Sequence, residues 1–225
     1  EQQMAGDGAT GTILPGVYGK LHDTDAHLLT FNYTTLAGRC SDKAIYFHGS
    51  LLCYVDVENK NDFRLDNITD ISLPEFFSSK LAAEISFDDE RKAIPIPSFL
   101  PPMKLQTVIS RHYISTWYQT YQLMLRARRI LFLGYSFATI DSFFCDMLRD
   151  NRDASIVIID KNIDDVSRNL CHILQMPVNR YTRQIRDNAE YRIYDNRITI
   201  IQADLDTFDI TPWLSTPNHK SLKKA

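Results

Sequence analysis

The sequence predicts a three-layer α/β domain built on a mainly parallel sheet, and two observations carry that expectation. The runs Ile130–Leu133 and Ile156–Ile159 are short, continuous and apolar, as strands buried on both faces of a sheet are. From 111 to 202, such runs alternate with apolar residues at helical spacing, the order that builds a parallel sheet flanked by helices.

The elements follow in chain order. Residues 1–25 carry Gly6, Gly8, Gly11, Pro15, Gly16 and Gly19 and read as a glycine-rich lead-in without regular structure. The domain proper is expected over 26–210. Its first strands are Leu28–Asn32 and Ala44–Phe47. The stretch 53–100 has acidic clusters (Asp56 and Glu58; Asp88, Asp89 and Glu90) and ends in Pro95 and Pro97, with Pro101 and Pro102 just beyond. It reads as an insert with a helix near 74–84. A helix over 111–129 would turn Ile114, Trp117, Tyr118, Tyr121 and Leu125 inward, and Arg126, Arg128 and Arg129 suit its negative end. Asp141 is placed to cap a helix carrying Phe143, Phe144, Met147 and Leu148. Asn162 is placed to cap another with Val166, Leu170, Ile173 and Leu174 inward. Ile198–Ile201 is the last strand, and 211–225 reads as a polar tail. The strands at 28–32, 130–133, 156–159 and 198–201 are expected in one sheet.

Composition narrows the function. Of 225 residues, 44% are hydrophobic and 11% aromatic, enough for a substantial core and too much for a disordered chain. The net charge of −3 makes nucleic acid an unlikely partner. No apolar run approaches the ~18–20 residues that span a bilayer, and the first residues lack the pattern of a signal peptide, so a cytoplasmic protein is expected. Cys40, Cys53, Cys145 and Cys171 form no CxxC pair, so no metal site is expected and the thiols should be reduced. His22, Asp23, Asp25 and His27 read as a solvated loop. The string Gly6-Asp7-Gly8-Ala9-Thr10-Gly11 matches GxGxxG but lacks the preceding strand that a dinucleotide fingerprint needs.

The sharper signal lies at the strand ends. Asn32 closes the first strand, His48-Gly49-Ser50 the second, Gly134-Tyr135-Ser136-Phe137 the third with Asp141 after it, and Asp160 the fourth. Open parallel sheets bind ligands at the carboxyl ends of their strands, so these residues are expected to converge on one cleft. Singly, each has a structural reading: Asn32 and Gly134 as turn residues, His48 as a hydrogen-bonded core histidine, Asp160 as a residue leading into a helix.

Thr-Phe-Asn-Tyr, Phe-His-Gly-Ser, Leu-Pro-Pro-Met-Lys, an apolar helix with Trp117, Leu-Gly-Tyr-Ser-Phe-x-x-x-Asp and Ile-Ile-Asp occur in that order. Over residues 26–162 the chain resembles the SIR2-like domains of bacteria, distant relatives of sirtuins, many of them in anti-phage defence. The resemblance implies a Rossmann-like fold that binds NAD and breaks its nicotinamide–ribose bond. It implies Asn32 and His48 as catalytic residues, His48 as the base, and Gly134, Ser136 and Asp160 as cofactor-binding residues. The family's Gln and Asp beside the asparagine are Phe31 and Thr34 here, and the zinc cysteines of true sirtuins are absent. That favours water over a peptide as acceptor. The family's Gly-Ala-Gly-x-Ser loop should lie well upstream of Asn32, so the N-terminal part of the family fold is expected to be missing. The reading that follows is an NAD glycohydrolase giving ADP-ribose and nicotinamide, with no metal. A module that binds NAD or ADP-ribose without turnover, a protein-interaction domain and a truncated family member stay open beside it. Asn32 and His48 are expected to face solvent in the cleft.

Overall fold

The computed structural model describes residues 16–21, 24–34, 36–41, 43–51, 53–56, 62–64, 95–98, 100, 111–138 and 141–214. Its centre is a five-stranded sheet of β6 (Arg129–Leu133), β7 (Ser155–Asp160), β10 (Ile198–Gln202), β9 (Ala189–Tyr194) and β8 (Thr182–Arg186), in that spatial order. β6, β7 and β10 are mutually parallel, and β9 runs against both β10 and β8. Four strands therefore point one way and one the other, which is the mainly parallel sheet expected.

The three layers follow from the alternation of side chains along a strand. On β7, Ile156 and Ile158 enter one core with Ile198 and Ile200 of β10, Phe144 and Leu148 of α4 (Ser142–Asp150), and Val166 and Leu170 of α5 (Ile163–Leu174). Val157 and Ile159 enter the opposite core with Ile201 and Ile210. There they meet Leu21 of α1 (Gly16–Leu21), Cys40 of α2 (Leu36–Cys40), and Trp213 and Leu214 of α6 (Thr211–Leu214). Thus α1 lies within the stretch read as an irregular lead-in, and α6 within the polar tail. Both sit against the second core because Leu21, Trp213 and Leu214 supply the apolar surface that covers that face of the sheet.

β1 (Leu29–Thr30) and β2 (Ile45–Tyr46) pair in parallel, and among the described residues only with each other. The expectation that the first strand joins the main sheet is corrected: β1 meets that sheet through side chains, with Leu29 and Phe31 packed on its first core. In the expected insert, β3 (Cys53–Asp56) lies between β4 (Asp62–Arg64) and β5 (Pro95–Pro97) in an antiparallel three-stranded sheet. The helix expected near 74–84 falls outside the described residues.

The helix α3 (Arg111–Arg126) forms where helical spacing predicts it, but rotated. Ile114 and Tyr118 are each 64% exposed, while Tyr113, Thr116, Thr120 and Met124 are buried. The inward face is one residue out of step with the expected stripe. Thr120 can be buried because its hydroxyl donates to the Thr116 carbonyl at 2.8 Å, leaving no unpaired polar atom there.

Besides the three strands of the insert, two strands of the main sheet were not foreseen. β8 and β9 are joined by Asp187 and Asn188, both with positive φ, 48° and 62°. β9 and β10 are joined through Asp195 and Asn196, with φ of 50° and 56°. Asp and Asn tolerate the left-handed region, and two such residues in succession give a turn whose twist matches a hairpin.

The cap on α5 is as expected. Asn162 Oδ1 accepts from Asp165 N at 3.3 Å, and Gln175 closes the helix in the left-handed region at φ 55°. Asn162→Ala should lower unfolding stability by about 1 kcal/mol. Urea denaturation checks this, with a lower midpoint and an unchanged slope expected.

Candidate functional site

The ends of β2 and β6 meet over a single carboxylate. Beyond β2, Phe47 N donates to Thr30 O at 3.0 Å and carries the β1–β2 pairing one residue further. Gly49, at φ 82°, then turns the chain, its N–H reaching Tyr46 O at 3.1 Å. This turn aims the His48 ring inward, where it is only 6% exposed. His48 Nε2 lies 2.9 Å from Asp141 Oδ1. Its main chain is held too: His48 O accepts from Leu100 N at 2.8 Å and from the Tyr113 hydroxyl at 3.3 Å. Nδ1 is buried and has no hydrogen-bond partner among the described residues.

Beyond β6, Gly134 has φ 62°, and a Cβ there would lie 3.2 Å from Leu205 Cδ1. Both facts favour glycine. Three residues on, Phe137 also has positive φ, 55°, which is strained for an aromatic residue. Complete burial against Phe132 and Tyr135, with ring centroids 4.8 and 4.9 Å away, holds it there. The bend swings Tyr135 back, and its hydroxyl donates to Asp141 Oδ2 at 2.6 Å. Burial first, and then this hydrogen bond, push the Tyr135 phenol far above its usual range. It therefore stays a neutral donor.

Asp141 occupies the N-cap position of α4, yet its side chain makes no capping bond. The expectation of a cap is corrected: both oxygens of this buried carboxylate are taken by Tyr135 and His48. Phe31 lines the same place. Its ring stacks on Tyr135 at 4.5 Å and meets His48 edge-on at 5.4 Å.

Asn32 is exposed, as expected, and its Nδ2 donates to the Tyr18 hydroxyl of α1 at 3.2 Å. His48 does not face solvent, which corrects the expectation for that residue: the pull of Asp141 and the aromatic rings turn it inward. Gly134 and Asp160 are close, because Gly134 N donates to the carbonyl of Ile159, the neighbour of Asp160, at 3.0 Å. Asp160 Oδ1 accepts from Asn162 N at 2.7 Å, in the lead into α5. Ser136 is exposed and its carbonyl accepts from Asn169 Nδ2 of α5 at 2.8 Å.

The structure thus joins His48 to Asp141 and sets Gly134 beside Asp160. It also adds Tyr135 and Phe31, which the sequence reading names in its motifs but does not count among the site residues. The signal was Tyr135 at the bend, six residues before Asp141. Of the weaker candidates, Asp25 pairs with Lys43 at 3.1 Å and His27 is exposed. His22, Asp23 and the Gly6–Gly11 string lie outside the described residues. Among the described residues, no group of three His, Cys, Asp or Glu side chains could hold a metal ion. None of the described helices is long and apolar enough to cross a membrane.

No family model matches the sequence, and no curated protein does. Among solved structures, one from work on sirtuin substrate affinity is similar at TM-score 0.44 and 15% identity, over 65% of this chain and 60% of that one. A Sir2 complex with a p53 peptide and NAD+ is similar at TM-score 0.42 and 17% identity, over 65% and 58%. A Sir2 complex with 2′-O-acetyl-ADP-ribose and a deacetylated p53 peptide is similar at TM-score 0.42 and 15% identity, over 68% and 66%. The chain spans 60% of the length of the first of these.

Cys145, one turn into α4, is buried, and burial pushes its thiol up to about 11, with the Asp141 carboxylate adding to the effect. It is therefore a packing residue and no nucleophile at neutral pH. The folded state holds the Cys145 proton more tightly than the unfolded state. This group's contribution to stability is thus intact below the ordinary thiol value of 9.0 and is lost as pH rises towards about 11. Thiol labelling at pH 8, resolved by peptide mapping, should leave Cys145 unmodified until denaturant is added.

Proposed function

We propose that the domain binds NAD across the carboxyl ends of β2, β6 and β7 and hydrolyses its nicotinamide–ribose bond. The observation that carries this is His48. Its buried ring is fixed on Asp141 through one nitrogen, while the other has no partner among the described residues. A buried polar atom without a partner is rare in a folded protein, and a bound ligand or water accounts for it. The motif order of the sequence adds support, since His48 and Asn32 fall where a SIR2-like site has its catalytic pair.

The chemistry follows from the positions. When the C–N bond to nicotinamide breaks, its electrons leave with nicotinamide and positive charge develops on the ribose. Water adds to the same carbon, and its proton passes to His48. The exposed Asn32 amide orients the ribose or the water by hydrogen bonds. The bend at Gly134 and Ser136 brings backbone close to the phosphates. Asp160 accepts hydrogen bonds from the hydroxyls of the adenine-side ribose. NAD is the substrate and no metal takes part in the proposal. By its SIR2-like motifs, the domain would serve as a cytoplasmic defence effector that depletes NAD. The burial of His48 favours a second reading, a module that binds NAD or ADP-ribose without turnover.

Release of nicotinamide from NAD by the full chain tests the proposal. His48→Gln keeps an N–H donor for Asp141 but removes the proton acceptor, and should lower the rate by ~10²–10⁴-fold. Asn32→Ala should cost about 10²-fold or more, since small misplacements cost that much. No nicotinamide release by folded wild-type protein would sink the hydrolase and leave the binding module. Asp160→Ala should weaken ADP-ribose binding in calorimetry. Unchanged affinity would leave Asp160 as a residue that only leads into α5.

A further inference from the structure

The geometry assigns Asp141 as a positioning residue that holds His48 in the tautomer protonated on Nε2, so that Nδ1 is the proton-accepting atom. The inference rests on the hydrolase reading for its use, but its geometry stands on the hydrogen-bond network alone.

The network admits few arrangements. The Tyr135 hydroxyl donates to Asp141 Oδ2 at 2.6 Å, so that oxygen is already taken as an acceptor, as in an ionised carboxylate. An ionised carboxylate has no proton to give, so at the 2.9 Å contact with Oδ1 the proton must come from Nε2. The alternative puts a proton on Asp141 and another on Nδ1. That needs one proton more than an ionised carboxylate with a neutral ring, and it leaves Nδ1–H as a buried donor without a partner among the described residues. A neutral ring with Nε2–H leaves Nδ1 with a bare lone pair, the state a general base needs.

Tyr135 makes the arrangement one-way. By occupying Oδ2 it stops the carboxylate from turning to cap α4, the ordinary role of an Asp at that position. Phe31, stacked on Tyr135 and edge-on to His48, keeps both rings in place. The main chain of His48 is fixed independently by Leu100 and Tyr113, so the ring has little freedom to leave Asp141.

Substitution of Asp141 makes a specific forecast. In Asp141→Asn, Tyr135 still donates to the carbonyl oxygen of the new amide. The NH2 group then faces Nε2 and can only donate, so the proton must move to Nδ1. In the double variant Asp141→Asn with Tyr135→Phe, the amide is free to turn its oxygen to His48, and Nε2–H returns.

Nitrogen-15 spectra of the labelled full chain, at a pH where His48 is neutral, read the tautomer directly. The wild type should show Nδ1 as the unprotonated nitrogen. Asp141→Asn should exchange the two, and the double variant should restore the original. With the exchange, nicotinamide release should fall by about 10⁴-fold, the scale on which a wrong histidine tautomer costs other hydrolases, and recover in part in the double variant. A merely structural Asp141 would change the melting temperature without exchanging the nitrogens. A wild-type ring protonated on Nδ1, or an Asp141→Asn protein that keeps Nε2–H, would overturn the assignment. If Asp141→Asn does not fold, the wild-type spectrum alone decides. If the tautomers behave as stated but no form releases nicotinamide, the hydrolase reading fails and the tautomer assignment stands.

Discussion

One carboxylate ties the molecule together. Asp141 is buried, and a buried charge is costly unless its hydrogen bonds are made. Its two donors come from distant parts of the chain, His48 from the end of β2 and Tyr135 from the end of β6. β1 and β2 share no ladder with the main sheet, so their position relative to β6 depends on this contact and on the rings around it. Phe31 and Phe47 pack against Phe144 of α4, and Phe31 against Tyr135. The polar bonds fix direction and the aromatic contacts supply the apolar burial, so the same few residues both join the two sheets and form the candidate site.

β7 is the other fixed point. It is hydrogen-bonded on both edges and apolar on both faces, and its end carries Asp160. A strand buried all round has little freedom to slip, because a shift of one residue would exchange its two faces and its neighbours. Gly134 is bonded to Ile159, so the bend after β6 inherits that rigidity. Functional groups at such strand ends are held by the best-packed part of the molecule, while their side chains stay at its margin.

What could be read from the sequence was what depends on local composition. β6, β7 and β10 are continuous apolar runs that only a sheet with two covered faces can bury, and Asn162 is a cap at the head of a periodic helix. Missed features depend on partners elsewhere. The expected face of α3 counted Ile114 and Tyr118 as core on hydropathy, but the face that meets the rest of the protein carries Thr116 and Thr120, whose polarity hides their burial. β8 looks polar because it is an outer strand, and the evidence for it lay in the Asp-Asn turns on either side of β9. Asp141 had the sequence context of a cap, and its actual partner is 93 residues away. Asn32 and His48 were legible as strand-end residues, while the inward turn of His48 depended on rings brought together only by folding.

β8 also determines where the sheet stops. Among the described residues its outer edge has no strand beyond it, and an exposed edge is a template on which another chain can pair. Thr182, Arg183, Ile185 and Arg186 are exposed there, and Arg183 is held on Glu190 at 2.6 Å. An incoming strand would have to strip water from two guanidinium groups and crowd an ion pair already formed. The arginines that make this strand hard to recognise as a strand therefore also guard it against edge-to-edge aggregation.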